Sequence, residues 1–179
     1  AEVADLLAAT APIDHLALPG STAHHLPFED LDESKAREYL DSKFWGQFWA
    51  AYEARRHVRR GGSIVLFSGC ANRRPVPGYV VGAGVDGALD GLTRSLAWEL
   101  GSYGIRVNCV SPGVILTEII TEGMSEAELE RFLESQARRV PLGRVGRPEE
   151  CARGALYLMT NRFVTGEVLA IDGGFDAGA

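Results

Sequence analysis

The sequence predicts an α/β fold in which a doubly wound parallel sheet lies between two layers of helices. Short apolar runs of strand length alternate with longer segments that repeat apolar residues at helical spacing, and this order is typical of βαβ units. The short runs do not alternate polar and apolar residues, which is expected for strands that are buried on both faces. Together these observations favour three α/β/α layers.

Four segments are expected to form the strands. They are IDHLAL (13–18), GSIVLFSG (62–69), IRVNCVSPG (105–113) and GEVLAIDGG (166–174). The first would leave a bare apolar edge on the sheet, and such an edge invites pairing with other strands. Because the chain of a doubly wound sheet starts in its middle, we expect that N-terminal strands are missing from this chain or that another chain covers the edge.

Residues 31 to about 60 are expected to form the first long helix. Its apolar side chains occupy one face, while Trp45, Trp49 and Tyr52 occupy a second, adjoining face that is too aromatic to lie in water. The second face therefore predicts a partner helix. A cluster of cations is expected to close the helix, where positive charge complements the helix dipole. The cluster consists of Arg55, Arg56, Arg59 and Arg60.

Further helices are expected over residues 82–101, after Ser125 and from Pro148. The first of them carries an apolar stripe at helical spacing, formed by Val85, Leu89, Leu92, Leu96 and Leu100. Ser125 and Glu128 match a capping box, and Pro148 followed by two glutamates is typical of a helix start. No linker or repeat interrupts this order, so residues 1–179 are expected to form a single domain.

Composition limits the classes of function. The chain has 179 residues, 46% of them hydrophobic, and a net charge of −6, which favours a globular protein and gives no reason to expect nucleic acid. It shows no signal-peptide pattern and no apolar run of membrane-spanning length, so we expect a cytoplasmic protein with no membrane partner. The three scattered cysteines are expected to be buried thiols. We expect no metal, because His15, His24 and His25 lack metal-ligand spacing.

Four motifs give the chain a resemblance to a known family. They are GSIVLFSG, GALDGLTRSLAWELGSYGIRVNCVSPGVILTE, PLGRVGRPEECARGALYLM and FVTGEVLAIDGG. In this order and spacing they resemble the short-chain dehydrogenase/reductase (SDR) family, over essentially the whole chain but only the C-terminal two-thirds of that fold. The resemblance implies a Rossmann-type sheet, NAD or NADP as cofactor, a small-molecule substrate, and homo-dimers or homo-tetramers formed through helices 31–60 and 82–101.

The residues that carry the chemistry of this family are replaced in the matching positions. The resemblance implies a Tyr and a Lys one helical turn apart, a Ser upstream of them and an Asn on the preceding helix. By alignment on GALDGLTRSLA and FWGQF, these positions fall on Gly82, Asp86, Gly69 and Lys43. We therefore expect an oxidoreductase-like protein whose chemistry is altered or lost. Since glycine leaves room for side chains, the triple change Gly69→Ser, Gly82→Tyr and Asp86→Lys is expected to install weak reductase activity.

Neighbouring residues are the remaining candidates for acid or base chemistry. Tyr79 and Ser68 are weak substitutes, because Tyr79 is expected on a loop and Ser68 on the other face of its strand. Lys43 and Asp86 are either solvated charges or partners in an ion pair. Two other functions stay open: a non-redox enzyme, such as a dehydratase, isomerase or cyclase, and a catalytically silent subunit whose role is assembly.

The segment SPGVILT resembles the part of the family that passes the nicotinamide. Pro112, Gly113, Ile115 and Thr117 stand in the matching places, which implies cofactor binding, although a Pro-Gly pair also marks an ordinary turn after a strand. Residues 118–140 resemble the mobile lid over the family's substrate pocket. The family's phosphate loop has no counterpart after a first strand here, so the choice between NAD and NADP is left open.

Overall fold

The computed structural model describes residues 2–22 and 25–178. Within them, one sheet is formed by the strands β1 (Ile13–Ala17), β2 (Val58–Phe67), β3 (Arg106–Pro112) and β4 (Val168–Ile171). All neighbouring pairs are parallel, and the strands lie in the order β1-β2-β3-β4. The expected α/β fold with a parallel sheet is confirmed.

Seven α-helices connect and flank the strands in the described part of the chain. They are α1 (Glu2–Thr10), α2 (Glu33–Tyr39), α3 (Gly46–Ala54), α4 (Val80–Gly101), α5 (Glu118–Thr121), α6 (Glu126–Ala137) and α7 (Pro148–Thr160). A π-helical segment, Leu40–Trp45, joins α2 to α3. The capping box before α6 is confirmed, because the carboxylate of Glu128 accepts hydrogen bonds from the backbone N–H and the hydroxyl of Ser125.

The sheet lies between two layers of helices, as the sequence predicts. Ile64 and Leu66 of β2 pack in a core with α1, α3 and α4, whereas Val65 points to the opposite face and packs against α7. β3 divides in the same way, with Val107 on the first face and Val110 on the second. This alternation follows from the two-residue period of a strand and produces the three α/β/α layers.

The expected helix over residues 31–60 is wrong at its C-terminal end. α3 ends at Ala54, and β2 already begins at Val58. Arg59 and Arg60, two of the four cations expected to close the helix, therefore lie in a strand. The guanidinium of Arg59 meets a carboxylate of β1 at 3.1 Å. Parallel pairing with β1 through an irregular, bulged register explains the early start of β2.

Cysteine and histidine side chains serve structural roles. All three cysteines are free and buried, as predicted, and burial raises the pKa of each thiol to about 11. His15 lies 2.9 Å from the hydroxyl of Ser63, His25 packs against Tyr79, and His24 falls outside the described residues. Among the described residues, no cluster of His, Cys, Asp and Glu could hold a metal ion, and no helix is long and apolar enough to cross a membrane.

Candidate active site

The candidate site lies where the carboxyl end of β2 meets the first turns of α4. The chain leaves β2 through Gly69, and α4 places Gly82 and Asp86 one turn apart on its buried face. The π-helical segment before α3 adds Lys43 from the other side. Gln47, one turn further on, fixes this segment, because its side-chain amide donates to the carbonyl and accepts from the N–H of the last residue of β2, at 2.9 and 2.8 Å.

Lys43 and Asp86 form a buried ion pair in this site. Their Nζ and Oδ1 atoms are 2.7 Å apart, and only 11% and 5% of the two side chains are exposed. Burial opposes the charge of Lys43, but the attraction and hydrogen bond of Asp86 outweigh it and raise the pKa of the ammonium. Burial also raises the pKa of Asp86, although the charge and the hydrogen bond of Lys43 lower it in part. Of the two alternatives that the sequence left open for Lys43 and Asp86, the ion pair is confirmed and the pair of solvated charges is wrong.

Neighbouring side chains fill the room beside the two glycines of the site. A Cβ atom on Gly69 would lie 2.5 Å from Oδ2 of Asp86, and a Cβ atom on Gly82 would lie 3.3 Å from the hydroxyl oxygen of Tyr39. In the protein with its own residues, the room expected beside the two glycines is therefore partly taken by Asp86 and Tyr39. A larger residue at either position has to displace the carboxylate or the phenol.

Tyr39 is the member of the site that the sequence reasoning missed. It is the last residue of α2 and is 4% exposed, and the Nζ atom of Lys43 lies 5.7 Å from its ring centroid. Burial is the main cause of the raised pKa of this phenol, and the positive charge of Lys43 lowers that pKa in part. A signal was present in the sequence: YLDSK, residues 39–43, has the Tyr–Lys spacing of four that the resemblance implies for the later helix.

Tyr79 and Ser68 lie at the margin of this cluster. Tyr79 immediately precedes α4 and is half-buried, with its Cδ1 atom 3.6 Å from the place that a Cβ atom on Gly82 would take. Its ring also meets that of His25 edge-on, with centroids 5.5 Å apart. Ser68 is buried at the end of β2 but makes no hydrogen bond to the ion pair. Tyr79 thus lies beside Gly82, whereas the hydroxyl of Ser68 has no hydrogen bond to the charged pair.

The segment after β3 packs tightly against the end of β4. The N–H of Gly113 donates to the carbonyl of Ile171 at 3.0 Å, and a Cβ atom on Gly113 would lie 2.8 Å from the Cα atom of Asp172, so this approach requires glycine. Ile115 is buried, and Thr117 stands immediately before α5. Within residues 2–22 and 25–178 the hydroxyl of Thr117 makes no capping hydrogen bond to α5 and has no other hydrogen-bond partner.

A cavity opens beside this segment at the carboxyl ends of β3 and β4. Its volume is about 440 Å³, and its lining includes Val114, Ile115 and Asp172 but not the buried ion pair. Pro112, the last residue of β3, accepts a hydrogen bond from the N–H of Cys70 at 3.1 Å. This bond ties the loop after β2 to the segment after β3, so the ion-pair site and the cavity share one edge of the sheet.

The loop after β2 carries a second polar network, which the sequence reasoning also missed. The guanidinium of Arg73 forms ion pairs with Asp176 and, at 3.5 Å, with Asp90 of α4. It also donates to the hydroxyl of Ser111 in β3 at 2.7 Å. These contacts join the loop to a helix, a strand and the C-terminal residues, and they hold in place the chain that leads into α4.

The parallel sheet, its two helical layers and the polar site at its carboxyl edge define a Rossmann-type α/β protein. The family profile described as enoyl-(acyl carrier protein) reductase matches residues 3–176. The chain belongs to the short-chain dehydrogenase/reductase family, which confirms the resemblance drawn from its motifs.

Curated relatives of the chain include reductases and dehydrogenases. It is 42% identical to the 3-oxoacyl-(acyl-carrier-protein) reductase FabG of Chlamydia muridarum over 117 residues, which are 64% of this chain and 45% of that protein. It is 33% identical to the short-chain dehydrogenase/reductase ATR9 of Stachybotrys chlorohalonatus over 97% of this chain and 67% of that protein. The chain therefore spans about half to two-thirds of the length of these relatives.

Solved structures with the same fold match nearly all of the chain. A crystal structure of a small-chain dehydrogenase in complex with NADPH matches with a TM-score of 0.91 and 33% identity, over 98% of this chain and 80% of that one. A short-chain glucose/ribitol dehydrogenase from Brucella melitensis matches with a TM-score of 0.87 and 26% identity, over 97% of this chain and 71% of that one. The fold of the described residues is thus that of the family.

Proposed function

We propose that the natural protein is an oxidoreductase that uses NAD or NADP to interconvert the alcohol and carbonyl groups of a small-molecule substrate, with altered proton handling. The family and its reductase and dehydrogenase members support this proposal. The observation that carries it is the likeness, over 98% of the chain, to a dehydrogenase whose crystal structure holds NADPH. Ligands of open parallel α/β sheets bind beyond the carboxyl ends of the strands, where the candidate site lies.

The residues at the end of β3 suit the nicotinamide end of such a cofactor. Pro112 and Gly113 fix the turn, and Ile115 offers an apolar surface beside the cavity. The hydroxyl of Thr117, free of described partners, can donate a hydrogen bond to a carboxamide or accept one from it. The bound cofactor would supply or accept the hydride.

Titration with NADPH and NADH tests this proposal on the natural protein, with any residues outside this chain included. Nicotinamide fluorescence should rise and saturate with at least one of the two nucleotides. Thr117→Val keeps the shape of the side chain but removes its hydroxyl, so binding should weaken about 3- to 10-fold.

The matched control for this titration is Thr160→Val. The hydroxyl of Thr160 bonds the backbone of Leu156 within the same helix, so its loss should leave nucleotide binding unchanged. Failure of the unchanged protein to bind either nucleotide would overturn the proposed function.

Residues 118–140 are proposed to cover the bound substrate. α6 supports this role because none of its residues is buried, and Leu129, Phe132 and Leu133 are only half-buried. A helix with so little buried surface can detach at small cost in free energy. Amide hydrogen exchange over this segment should slow when the nucleotide and a substrate bind together. Unchanged exchange would contradict the covering role.

We also propose that copies of the protein pair through α3 and α4. Trp45, Trp49 and Tyr52 of α3 expose 39%, 54% and 42% of their surface, and Trp98 of α4 exposes 88%. Exposed aromatic surface of this extent is typical of interaction sites. Light scattering should give the mass of a dimer or tetramer, and Trp98→Glu should lower it. A monomer for the unchanged protein would contradict the pairing.

A further inference from the structure

The phenol of Tyr39 belongs to the same buried cluster as the ion pair. Tyr39 and Lys43 are four residues apart, so one turn of the continuous helical segment brings them together. The ammonium of Lys43 lies 5.7 Å from the ring centroid of Tyr39 and 2.7 Å from the carboxylate of Asp86. Phenol, ammonium and carboxylate therefore form a chain of three groups that links α2 to α4.

The cluster favours a phenol that keeps its proton. Burial, the largest effect, raises the pKa of Tyr39, and the carboxylate of Asp86 raises it as well. Lys43 acts in the opposite direction, but its charge is balanced by Asp86. The phenol therefore stays protonated at neutral pH, which is the form that can give its proton to a much stronger base such as an alkoxide.

The hydroxyl group of Tyr39 lies next to one of the positions that the alignment singles out. Its oxygen lies beside Gly82, 3.3 Å from the place of an added Cβ atom, at the entrance of α4. A side chain at residue 82 would take part of this space, so the glycine is what admits the hydroxyl. Tyr79, half-buried, is also near this place, with its Cδ1 atom 3.6 Å from the added Cβ atom.

We propose that Tyr39 is the proton donor of this site, with Lys43 and Asp86 as the residues that position it. The proposal rests on the proposed function, in which the reduced nicotinamide supplies the hydride to a carbonyl carbon. As the carbonyl π bond breaks, its electron pair moves to the oxygen, the O–H bond of Tyr39 breaks, and the oxygen takes that proton to form an alcohol. The phenolate that remains is attracted by the ammonium of Lys43, which also pairs with Asp86, until it regains a proton from solvent.

Tyr39→Phe tests the proposal in the natural protein with NADPH and a panel of ketones and aldehydes. General acid catalysis contributes about 100- to 10,000-fold, so kcat should fall at least 100-fold while the Kd for NADPH stays unchanged. Tyr103→Phe is the control, because Tyr103 is 67% exposed and should change neither quantity. Gly82→Ala crowds the hydroxyl without removing it and should give a smaller loss of kcat.

Ultraviolet titration gives a readout that is independent of turnover. One of the five tyrosines should ionise at higher pH than the exposed ones, and this step should be absent in Tyr39→Phe. Unchanged kcat in Tyr39→Phe, or loss of kcat in Tyr79→Phe instead, would overturn the proposal.

The outcomes separate this proposal from the proposed function. NADPH binding without reduction of any panel compound would overturn the role of Tyr39 and leave cofactor binding standing. Absence of nucleotide binding would overturn the proposed function and this proposal with it.

Discussion

Two ion pairs of nearly equal length occupy opposite environments in this protein. Lys43 and Asp86 lie 2.7 Å apart with side chains that are 11% and 5% exposed. Arg144 and Glu150 lie 2.6 Å apart with side chains that are 53% and 33% exposed. The first pair joins the segment before α3 to α4 in the interior, whereas the second spans the turn before α7 at the surface.

The environment of an ion pair, and not the distance between its charges, decides how much the pair contributes to stability. Water and salt screen the exposed pair, and such pairs change stability little. The buried pair has given up its hydration, so loss of one partner leaves an uncompensated charge in the interior. The residues of the buried pair are therefore the positions where substitutions should have the largest effects.

The triple variant G69S/G82Y/D86K is the strongest test of this contrast. It would place a second ammonium beside Lys43, and its new side chains would compete with Tyr39 for space. We expect this variant to lose its near-ultraviolet circular dichroism and its cooperative thermal transition. Adding Lys43→Asn and Tyr39→Ala removes both conflicts and should restore the transition. A triple variant as stable as the unchanged protein would show that the site is open.

Asp86→Asn should produce the next largest effect. It leaves the ammonium of Lys43 buried without its counter-ion, so the free energy of unfolding should fall by about 3 to 5 kcal/mol, as measured by urea denaturation. The double variant Lys43→Met/Asp86→Asn removes both charges and should recover much of this loss. Equal effects of Asp86→Asn and of the exposed change Glu150→Gln would contradict the contrast.

At alkaline pH the protein should lose stability, because Lys43 of the buried pair loses its charge. The pKa of Lys43 is raised in the folded state. Its contribution to stability is therefore fully present when the pH is below the ordinary pKa of lysine, and it is lost as the pH rises through the pKa of Lys43 in the folded protein. Thermal unfolding of the unchanged protein should therefore lose stability above about pH 10.5. In Lys43→Met, stability should fall less steeply with rising pH in the alkaline range. An equally steep fall in both proteins would argue against a charged Lys43.

At acid pH the protein should lose stability through the exposed pair, and this loss should be smaller than the alkaline loss through the buried pair. Hydrogen bonds from Arg144 and from the backbone of Arg147 lower the pKa of Glu150 to about 2. The contribution of this pair to stability is present when the pH is above the ordinary pKa of glutamate, and it is lost as the pH falls towards about 2. Glu150→Gln should slightly reduce stability at neutral pH and should make the loss of stability with falling pH less steep. An acid limb unaffected by this change would mean that solvent screens the pair completely.

The sequence predicted the sheet better than it predicted the site. Apolar runs such as GSIVLFSG locate strands because burial on both faces leaves a plain signal, and the motif order identified the family. The end of the first long helix was missed because pairing of Val58 with Ile13 of β1 overrides local helical signals. Such long-range pairing leaves little trace in a local pattern.

The polar site was predicted only in part, for a similar reason. The alignment singled out Lys43 and Asp86 but left open whether they are solvated or form an ion pair. The entry of Tyr39 into the space beside Gly82 depends on how α2 packs against α4, and spacing along the chain does not report this packing. The contacts of Arg73 with Asp176 likewise join residues far apart in the sequence.

Nitrogen-15 NMR of the Lys43 side chain shows whether a charged lysine is held by Asp86 in the interior. We expect the Nζ signal of an ammonium at pH 7, slow exchange of its protons with water, and retention of the charge above pH 10.5. The signal should shift in Asp86→Asn. A neutral amine at pH 7 would show that Lys43 is not charged, and a rapidly exchanging signal that does not shift in Asp86→Asn would show that Asp86 does not hold it.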